Sequence, residues 1–289
     1  MNGPPERLLL ATDLSARGDR ALDRAAQLAG QWQAELVALN VLASPDEPDL
    51  ALSWAEGQDS ASRHRFALQE LQRDLAGLDV RATVRLGRGD AARAIRETAD
   101  DCGCGLIVTG MARSEPLGRF LLGSTVERLA RMVPQPLLVV RMRARHPYAR
   151  IVVATDFSES SRHALQAAAR FFQGQELTVY HAHDPGLAGI AQRQAEPGSA
   201  PAGHDECAGF IAACDLPPDT RAHLRTVVEY GPLGSTLSRY VREQGVELVV
   251  TGTHGRTGLM NVLLGSSAAR LLDWLPCDTM IVREPRASR

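Results

Sequence analysis

One stretch of sequence occurs twice in this chain, once in each half. Leu8–Ser15 reads LLLATDLS and matches Ile151–Ser158, which reads IVVATDFS. A repeat of this spacing indicates that each copy is one folding unit, and 289 residues are enough for two domains that each bury a core. We therefore expect two homologous domains, at residues 1–143 and 148–289, joined by a short basic connector.

Short runs of Val, Ile and Leu alternate with amphipathic helical patterns in both halves. The runs occupy residues 7–12, 34–42, 80–86, 105–109 and 136–140 of the first half, and residues 150–155, 175–182, 222–230, 246–251 and 278–282 of the second. They are mostly apolar throughout, as in parallel strands that helices cover on both faces. The sequence thus predicts an α/β protein with two open, doubly wound, five-stranded parallel-sheet domains. A stretch rich in Pro, Gly and Ala, residues 184–206, is expected to be a long loop.

All 32 basic residues are arginines. The absence of lysine excludes the phosphate-binding lysine of a P-loop, the catalytic lysine of a protein kinase and Schiff-base chemistry. Neither half has the basic excess of a nucleic-acid binder, and no apolar run is long enough to span a bilayer. No signal-peptide pattern follows Met1, and five cysteines do not form a secreted disulfide framework. We expect a cytoplasmic protein with reduced thiols and no nucleic-acid or membrane partner.

A glycine-rich pattern follows the fourth strand of the second half. Thr251–Gly258 is followed by Gly265 and Ser266 at the start of a helix, which gives the spacing G-x2-G-x9-G-S. Glycines allow backbone amides to approach phosphate oxygens, and the N-terminus of a helix attracts negative charge. Arg256 adds charge-assisted hydrogen bonds. The pattern predicts a site for a ligand that carries phosphates.

This spacing, the aspartate after the first strand and the repeat together resemble the universal stress protein family in a tandem arrangement. The resemblance covers essentially all of the chain and implies an adenine nucleotide alpha hydrolase-like fold. In the ATP-binding members of that family, the aspartate and a residue at the end of the second strand contact adenosine, and the glycine motif holds the phosphates. The resemblance thus implies ATP, together with Mg²⁺, as the ligand. It assigns these residues of the second half to the site: Asp156, Ala182, Gly252, His254, Gly255, Gly265, Ser266 and Ser267.

The first half departs from this pattern. It reads Gly110-Met111-Ala112-Arg113, so that Arg113 stands where the motif has its second glycine. A Cβ and a long side chain there occupy the place where the backbone would touch phosphate. The residues that remain make a degenerate second site: Asp13, Val41, Gly110, Gly123 and Ser124. Ser124 also begins an S-x-x-E capping box, so we expect it to cap its own helix.

Three simpler interpretations compete with binding roles. Asp13 and Asp156 also fit the role of a cap on the first helix. A group of zinc-competent side chains follows the second strand of the second half, but its spacing matches no zinc pattern, and we predict no metal site. That group is His181, His183, Asp184, His204, Asp205 and Cys207. Cys102 and Cys104 are interpreted as a buried pair of thiols and not as a redox centre.

These observations favour a regulatory or protective module that binds ATP. Two alternatives stay open: a slow ATPase or other ATP-using enzyme, with His254 or Asp156 acting together with Mg²⁺, and a nucleotide-free scaffold that binds a protein partner or an apolar ligand. The last strands of the two copies, residues 136–140 and 277–282, are apolar edge strands. Because uncovered edges invite pairing, we expect these strands to meet in an intramolecular pseudo-dimer, which leaves room for further self-association.

Overall fold

The computed structural model describes residues 3–15, 18–42, 60–111, 124–183, 203–253 and 274–284. One compact unit comprises Pro4–Pro147, and the second is built on Tyr148–Arg289. Both units alternate parallel strands with helices. No helix among the described residues combines the length and the hydropathy that a membrane span requires.

The first unit is a five-stranded parallel sheet with helices between its strands. Its strand order is β3-β2-β1-β4-β5, with every neighbouring pair parallel. The elements, in chain order, are β1 (Arg7–Thr12), α1 (Gly18–Trp32), β2 (Glu35–Leu42), α2 (Ser60–Leu75), β3 (Ala82–Arg88), α3 (Ala91–Asp101), β4 (Leu106–Gly110), α4 (Ser124–Met132) and β5 (Leu137–Val140).

The second unit repeats this arrangement, with the strand order β8-β7-β6-β9-β10. The predicted fold class is therefore confirmed, and all ten predicted strands are present among the described residues with small differences at their ends. The elements are β6 (Ile151–Thr155), α5 (Glu159–Phe171), β7 (Leu177–His183), α6 (His204–Ala213), α7 (Pro218–Ala222), β8 (Arg225–Tyr230), α8 (Leu233–Gln244), β9 (Leu248–Gly252) and β10 (Asp278–Val282).

Two predicted boundaries in the second unit are wrong. The strand predicted from residue 222 begins at Arg225, because Pro218 starts the short helix α7 and proline is favoured in the first turn of a helix. The loop predicted over 184–206 ends earlier, because α6 begins at His204 after Gly203, whose φ is 103°. Two acidic residues in the first turn of α6 also favour a helix there. The rest of that predicted loop lies outside the described residues.

The core of each unit lies on both faces of its sheet. In β2, Leu42 packs with Ala67 of α2, whereas Leu39 and Val41 lie on the other face, beside Ile95 of α3. Residues 8–10 of β1 are completely buried. This two-sided burial is why the strands are apolar throughout, as the sequence predicts.

The entry into the first strand of the second unit is held by buried hydrogen bonds. The Tyr148 hydroxyl donates to Oδ2 of Asp278 at 2.6 Å, and both residues are buried. Oε2 of the buried Glu247 accepts the amide N–H groups of Ala149, at 2.7 Å, and of Arg150, at 3.0 Å. The second unit therefore begins at Tyr148, directly after the connector.

In the first unit, the segment before the first strand is held by close apolar packing instead of hydrogen bonds. Gly105 occupies the position that Glu247 has in the second repeat, and a Cβ there would lie 2.6 Å from Cβ of Pro5. The two copies thus fix equivalent strands by different means, one by contact and one by hydrogen bonds.

The carboxylate of Asp90 supplies a pH-dependent contribution to stability. It caps α3 by accepting the amide of Arg93 at 2.8 Å and forms a two-contact ion pair with Arg128. The hydrogen bond from Arg128, and then that from the Arg93 amide, lower the pKa of Asp90 below its ordinary value. The stabilisation is therefore complete above the ordinary pKa of about 4 and is lost as the pH falls through the lower native pKa.

We predict that Asp90→Asn, which keeps a capping oxygen but removes the charge, lowers the midpoint of chemical denaturation at pH 7. The difference between the denaturation midpoints of the wild type and the variant should become smaller as the pH falls below about 4. In that range the wild-type carboxylate is protonated and loses its charge as well. The control is Asp101→Asn, at the C-terminal end of the same helix, where loss of a negative charge should not destabilise. A gap for Asp90→Asn that stays constant with pH would contradict this assignment.

Candidate functional site

The carboxyl edge of each sheet contains a point where the strand order changes direction. β1 lies between β2 and β4, and β6 lies between β7 and β9. In open parallel sheets the loops on the two sides of such a point diverge and leave a crevice in which ligands bind. The candidate site of each unit therefore lies at the carboxyl ends of its first, second and fourth strands.

The aspartate after the first strand orders a tight turn in both units. Oδ1 of Asp13 accepts the amide N–H of Ser15 at 3.1 Å and its hydroxyl at 2.6 Å. Oδ1 of Asp156 accepts the amide N–H of Ser158 at 3.1 Å. Such a side-chain turn fixes the direction in which the carboxylate points.

The residue after each aspartate adopts a left-handed backbone conformation. Leu14 has φ 58° and Phe157 has φ 65°, which for a non-glycine residue costs about 1 kcal/mol or more. Their amides donate to the hydroxyls of Thr12, at 3.1 Å, and Thr155, at 2.9 Å. The same local strain, held by the same hydrogen bond, recurs in both repeats beside the candidate site.

The interpretation of Asp156 as a helix cap is wrong. The N-cap of α5 is Ser158, whose hydroxyl accepts the amide of Ser161 at 3.3 Å. Asp156 lies two residues before this cap and shapes the turn that leads to it. The helix therefore does not require the aspartate as its cap.

In the second unit, three of the predicted site residues lie at or just after the ends of adjacent strands. Thr155 pairs with His181, so the next residues are Asp156, directly after β6, and Ala182, the last but one residue of β7. Gly252 is the last residue of β9. Gly252 is buried, and a Cβ there would lie 2.4 Å from the Ser160 hydroxyl. The glycine is thus required where α5 crosses the end of β9. The other predicted residues lie outside the described part of the chain: His254, Gly255, Arg256, Gly265, Ser266 and Ser267.

In the first unit, Asp13, Val41 and Gly110 line one cavity of about 160 Å³. Its remaining walls come from the strand ends and from the helices α3 and α4. Gly123 lies outside the described residues, and Ser124 is the first residue of α4, with a side chain that is not described. The copy with the incomplete glycine motif therefore contains a formed cavity. The sequence gives little sign of it, because it depends on small residues that are far apart in the chain.

His181 has a structural role in the second unit. Along β7 it lies on the face of the sheet opposite to that of Ala182. Its Nδ1 lies 2.9 Å from the carbonyl oxygen of Thr155, and its ring stacks on Phe157 with centroids 4.2 Å apart. Asn40 occupies the same place in the first unit, where its Nδ2 donates to the carbonyl of Thr12 at 2.9 Å. A polar side chain at this position ties the second strand to the end of the first.

The zinc-competent residues do not converge in the part of the chain that is described. The ring of His183 contacts Tyr230, with centroids 5.3 Å apart, and His204 begins α6. Cys207 is completely buried, and Asp184 lies outside the described residues. No group of three or more His, Cys, Asp or Glu side chains among the described residues is placed to hold a metal ion.

All five cysteines lie among the described residues as thiols outside any disulfide, and four of them are buried. Cys102 is half-buried at the end of α3, and Cys104, which is buried, lies in the turn before β4. Burial raises the pKa of Cys104 to about 12 and that of Cys207 to about 11. Because the thiolate is the reactive form, both thiols are inert near neutral pH.

We predict that iodoacetamide at pH 8 modifies Cys102 first and leaves Cys104 and Cys207 unmodified in the folded protein. Peptide mapping by mass spectrometry measures the three rates in one sample. Denaturation before labelling should make the rates similar, which controls for peptide recovery. Labelling of Cys104 as fast as Cys102 in the native protein would show that burial does not suppress its ionisation.

The chain matches a known family in both halves. The sequence model described as the Universal stress protein family matches residues 5–141 and residues 147–283. A curated universal stress protein from Mycolicibacterium smegmatis is 27% identical over 304 residues, covering 96% of this chain and 96% of that protein.

Solved structures share the fold over the whole chain. A universal stress protein from Archaeoglobus fulgidus DSM 4304 superposes with a TM-score of 0.67 at 20% identity, covering 97% of this chain and 99% of that one. A second structure, from Pseudomonas aeruginosa UCBPP-PA14, gives a TM-score of 0.65 at 23% identity, covering 96% of this chain and 93% of that one. At these identities the structures establish the architecture alone.

Proposed function

The chain belongs to the universal stress protein family, with a family domain in each half, and on that premise we propose that it binds ATP through its second unit. It would act as a regulatory or protective nucleotide-binding module. The observation that carries the proposal is the placement of Asp156, Ala182 and Gly252 at the ends of three adjacent strands, where the strand order changes direction: Asp156 directly follows β6, and the other two lie in β7 and β9.

The turn after β6 supports a role for Asp156 in contacting the nucleoside. Oδ1 is directed by the amide of Ser158, and the strained Phe157 beside it is held by Thr155 and by the ring of His181. A carboxylate fixed in this way can accept hydrogen bonds from ribose hydroxyls without first being ordered. Preorganisation of this kind is a reason to maintain a strained residue at this point.

The sequence after β9 supports a role in holding phosphates. Gly252 ends the strand, and the chain continues through Gly255 and Arg256 to Gly265 and Ser266. In this motif, backbone amides and one guanidinium would neutralise a triphosphate in place of a lysine. The first unit has Arg113 at the position of Gly255, so we assign the ATP to the second unit.

Binding without rapid turnover is the form of the function that we propose. The chain has no lysine to stabilise charge on a transferred phosphoryl group. Asp156 already receives a backbone hydrogen bond within its turn, which favours a positioning role for it over that of a general base. The alternative is a slow ATPase that uses His254 or Asp156. It would release ADP, whereas a module that only binds ATP would not, and this difference can be measured directly.

We predict that calorimetry with ATP and Mg²⁺ on the intact chain gives one tight site per molecule. Gly255→Trp should weaken this binding about 10- to 150-fold, because loss of one charge-assisted phosphate contact costs roughly 1.5–3 kcal/mol. The matched control is Arg113→Trp at the equivalent position of the first unit, which should leave ATP binding unchanged. Two equivalent sites would contradict the single-site assignment, and loss of binding in Arg113→Trp alone would place the nucleotide in the first unit.

We predict that purified protein releases ADP far more slowly than about 1 s⁻¹, the lower end of typical enzyme rates. Bound nucleotide and free ADP are measured together by chromatography after incubation with ATP. Asp156→Asn is the comparison that separates intrinsic turnover from a contaminating ATPase. Turnover at about 1 s⁻¹ or faster that Asp156→Asn abolishes would establish an enzyme instead.

A further inference from the structure

A groove on the outside of α1 lies in the first unit, beside the turn that leads into β3. Its volume is about 550 Å³, within the range of about 300–1,000 Å³ that is usual for small-molecule sites. Its floor is one stripe of α1, from Asp23 to Gln31, and its walls are residues 78–80 on one side and Ala144 on the other. None of its described lining residues belongs to the candidate site at the strand ends. We call it the α1 groove.

Hydrogen bonds hold both walls of the α1 groove in place. Nη1 of Arg20 and Nη1 of Arg24 donate to backbone carbonyl oxygens at the two ends of segment 141–146, at 2.8 Å and 3.1 Å. On the other side, Nη2 of Arg81 donates to the carbonyl oxygen of Gln33, directly after α1, at 2.9 Å. Both walls are thus tied to the helix that forms the floor, and the groove is a preformed feature of the folded unit.

Gly30 leaves the floor of the α1 groove without a side chain. Glycine is the least favourable helix residue after proline, and Gly30 is exposed within α1. Packing does not require it, because a Cβ there would approach only Cγ1 of Val80, at the ordinary contact distance of 3.8 Å. A residue that weakens its helix, and that no contact demands, is expected where the space above it is used.

The ionisable side chains among the described residues of the lining are both carboxylates. Asp23 lies on α1 and Asp79 lies in the turn beside it, and both are exposed. Neither has a hydrogen bond or an ion pair with another residue in the described ranges. Amides of Gln27 and Gln31 are the other polar side chains of the floor. Ionised carboxylates only accept hydrogen bonds, so the groove suits a ligand that is cationic and donates.

Negative charge extends along the same face of α1. Asp19 lies one helical turn before Asp23. Partial burial raises the pKa of Asp74 in α2, and the negative charges of Asp19 and Glu70 raise it further. A pKa that neighbouring carboxylates raise reports a negative potential between α1 and α2. This potential attracts a cation to the end of the groove.

The second unit does not repeat these charges. Gln166 stands at the position of Asp23, and Arg221 stands at the position of Asp79 when β3 and β8 are aligned. The Arg221 guanidinium donates to two backbone carbonyl oxygens at the end of α6, at 3.2 Å and 2.8 Å. The pair of unengaged carboxylates is therefore a property of the first unit.

We propose that the α1 groove binds a linear organic dication of the aliphatic diamine class. One ammonium group would donate to Asp23 and the other to Asp79, and the methylene chain would lie over Gly30 and against Val80. Alkylamines have a pKa of about 10, so both ends are charged at pH 7. The proposal does not rest on ATP binding in the second unit.

Cadaverine, a linear diamine, is the probe, and valine-methyl NMR of the full chain at constant ionic strength is the measurement. The methyl signals of Val80 should shift and saturate, whereas those of Val241, buried in the second unit, should not move. Pentylamine keeps the chain length and has one charge, so it should bind about three- to fivefold more weakly, as expected for loss of one exposed ion pair. The uncharged 1-pentanol should give no saturating shift.

Five variants locate the response. Gly30→Leu fills the floor and should abolish the Val80 shift, while its better helix propensity keeps the denaturation midpoint at or above that of the wild type. Its matched control is Gly209→Leu, at an exposed glycine of α6 with open space at its Cβ position, which should leave the shift intact. Asp23→Asn and Asp79→Asn should each weaken cadaverine binding about three- to fivefold, and Asp101→Asn should not.

Three results would overturn the proposal. Val80 signals that do not move with cadaverine would show that diamines do not bind. An equal shift with MgCl₂ at the same ionic strength would show general screening of carboxylates in place of a fitted site. A shift that survives Gly30→Leu would place the diamine outside the groove. Gly255→Trp should leave the cadaverine response unchanged, which separates this proposal from that of the ATP site.

Discussion

Parallel pairing of a central strand with two neighbours is the constraint on which both units depend. β1 pairs with β2 and β4, and β6 pairs with β7 and β9, in register along their lengths. Because parallel strands all end at the same edge, this pairing brings together strand ends that are distant in sequence. Helices on both faces bury the strands and leave that edge for function. The positions of the candidate site residues that the structure describes follow from this arrangement.

The two repeats have kept the scaffold and changed its details. Both retain the aspartate turn and the left-handed residue after it, at Leu14 and Phe157. They differ in some side chains at equivalent positions. Asn40 in the first unit and His181 in the second connect the second strand to the end of the first through different polar groups. The glycine motif is complete in the second copy, and the cavity is formed in the first. Such differences are expected, because side chains at a strand end change without disturbing the pairing beneath them.

Much of the fold is predictable from the sequence, because two-sided burial makes the strands apolar and each strand pattern occurs once in each half. Element boundaries that local turn chemistry sets are not predictable in this way. Helix α7 covers Pro218–Ala222, and its last residue is predicted from the sequence as the first residue of a strand. The positions of Asp156 and Ala182 follow from the strand pattern. The cavity does not, because Gly18, Leu39 and Ala91 meet only after folding. The packing role of Gly252 against Ser160 is likewise a tertiary property.

We propose that ATP occupies the second unit. Photoaffinity labelling of the intact chain with 8-azido-ATP, followed by peptide mapping, locates the nucleotide, and excess ATP is the competitor that defines specific labelling. We expect the label that ATP competes away to lie within residues 148–289, and the first unit to be labelled equally with and without the competitor. Specific, ATP-protected label confined to residues 4–147 would contradict it.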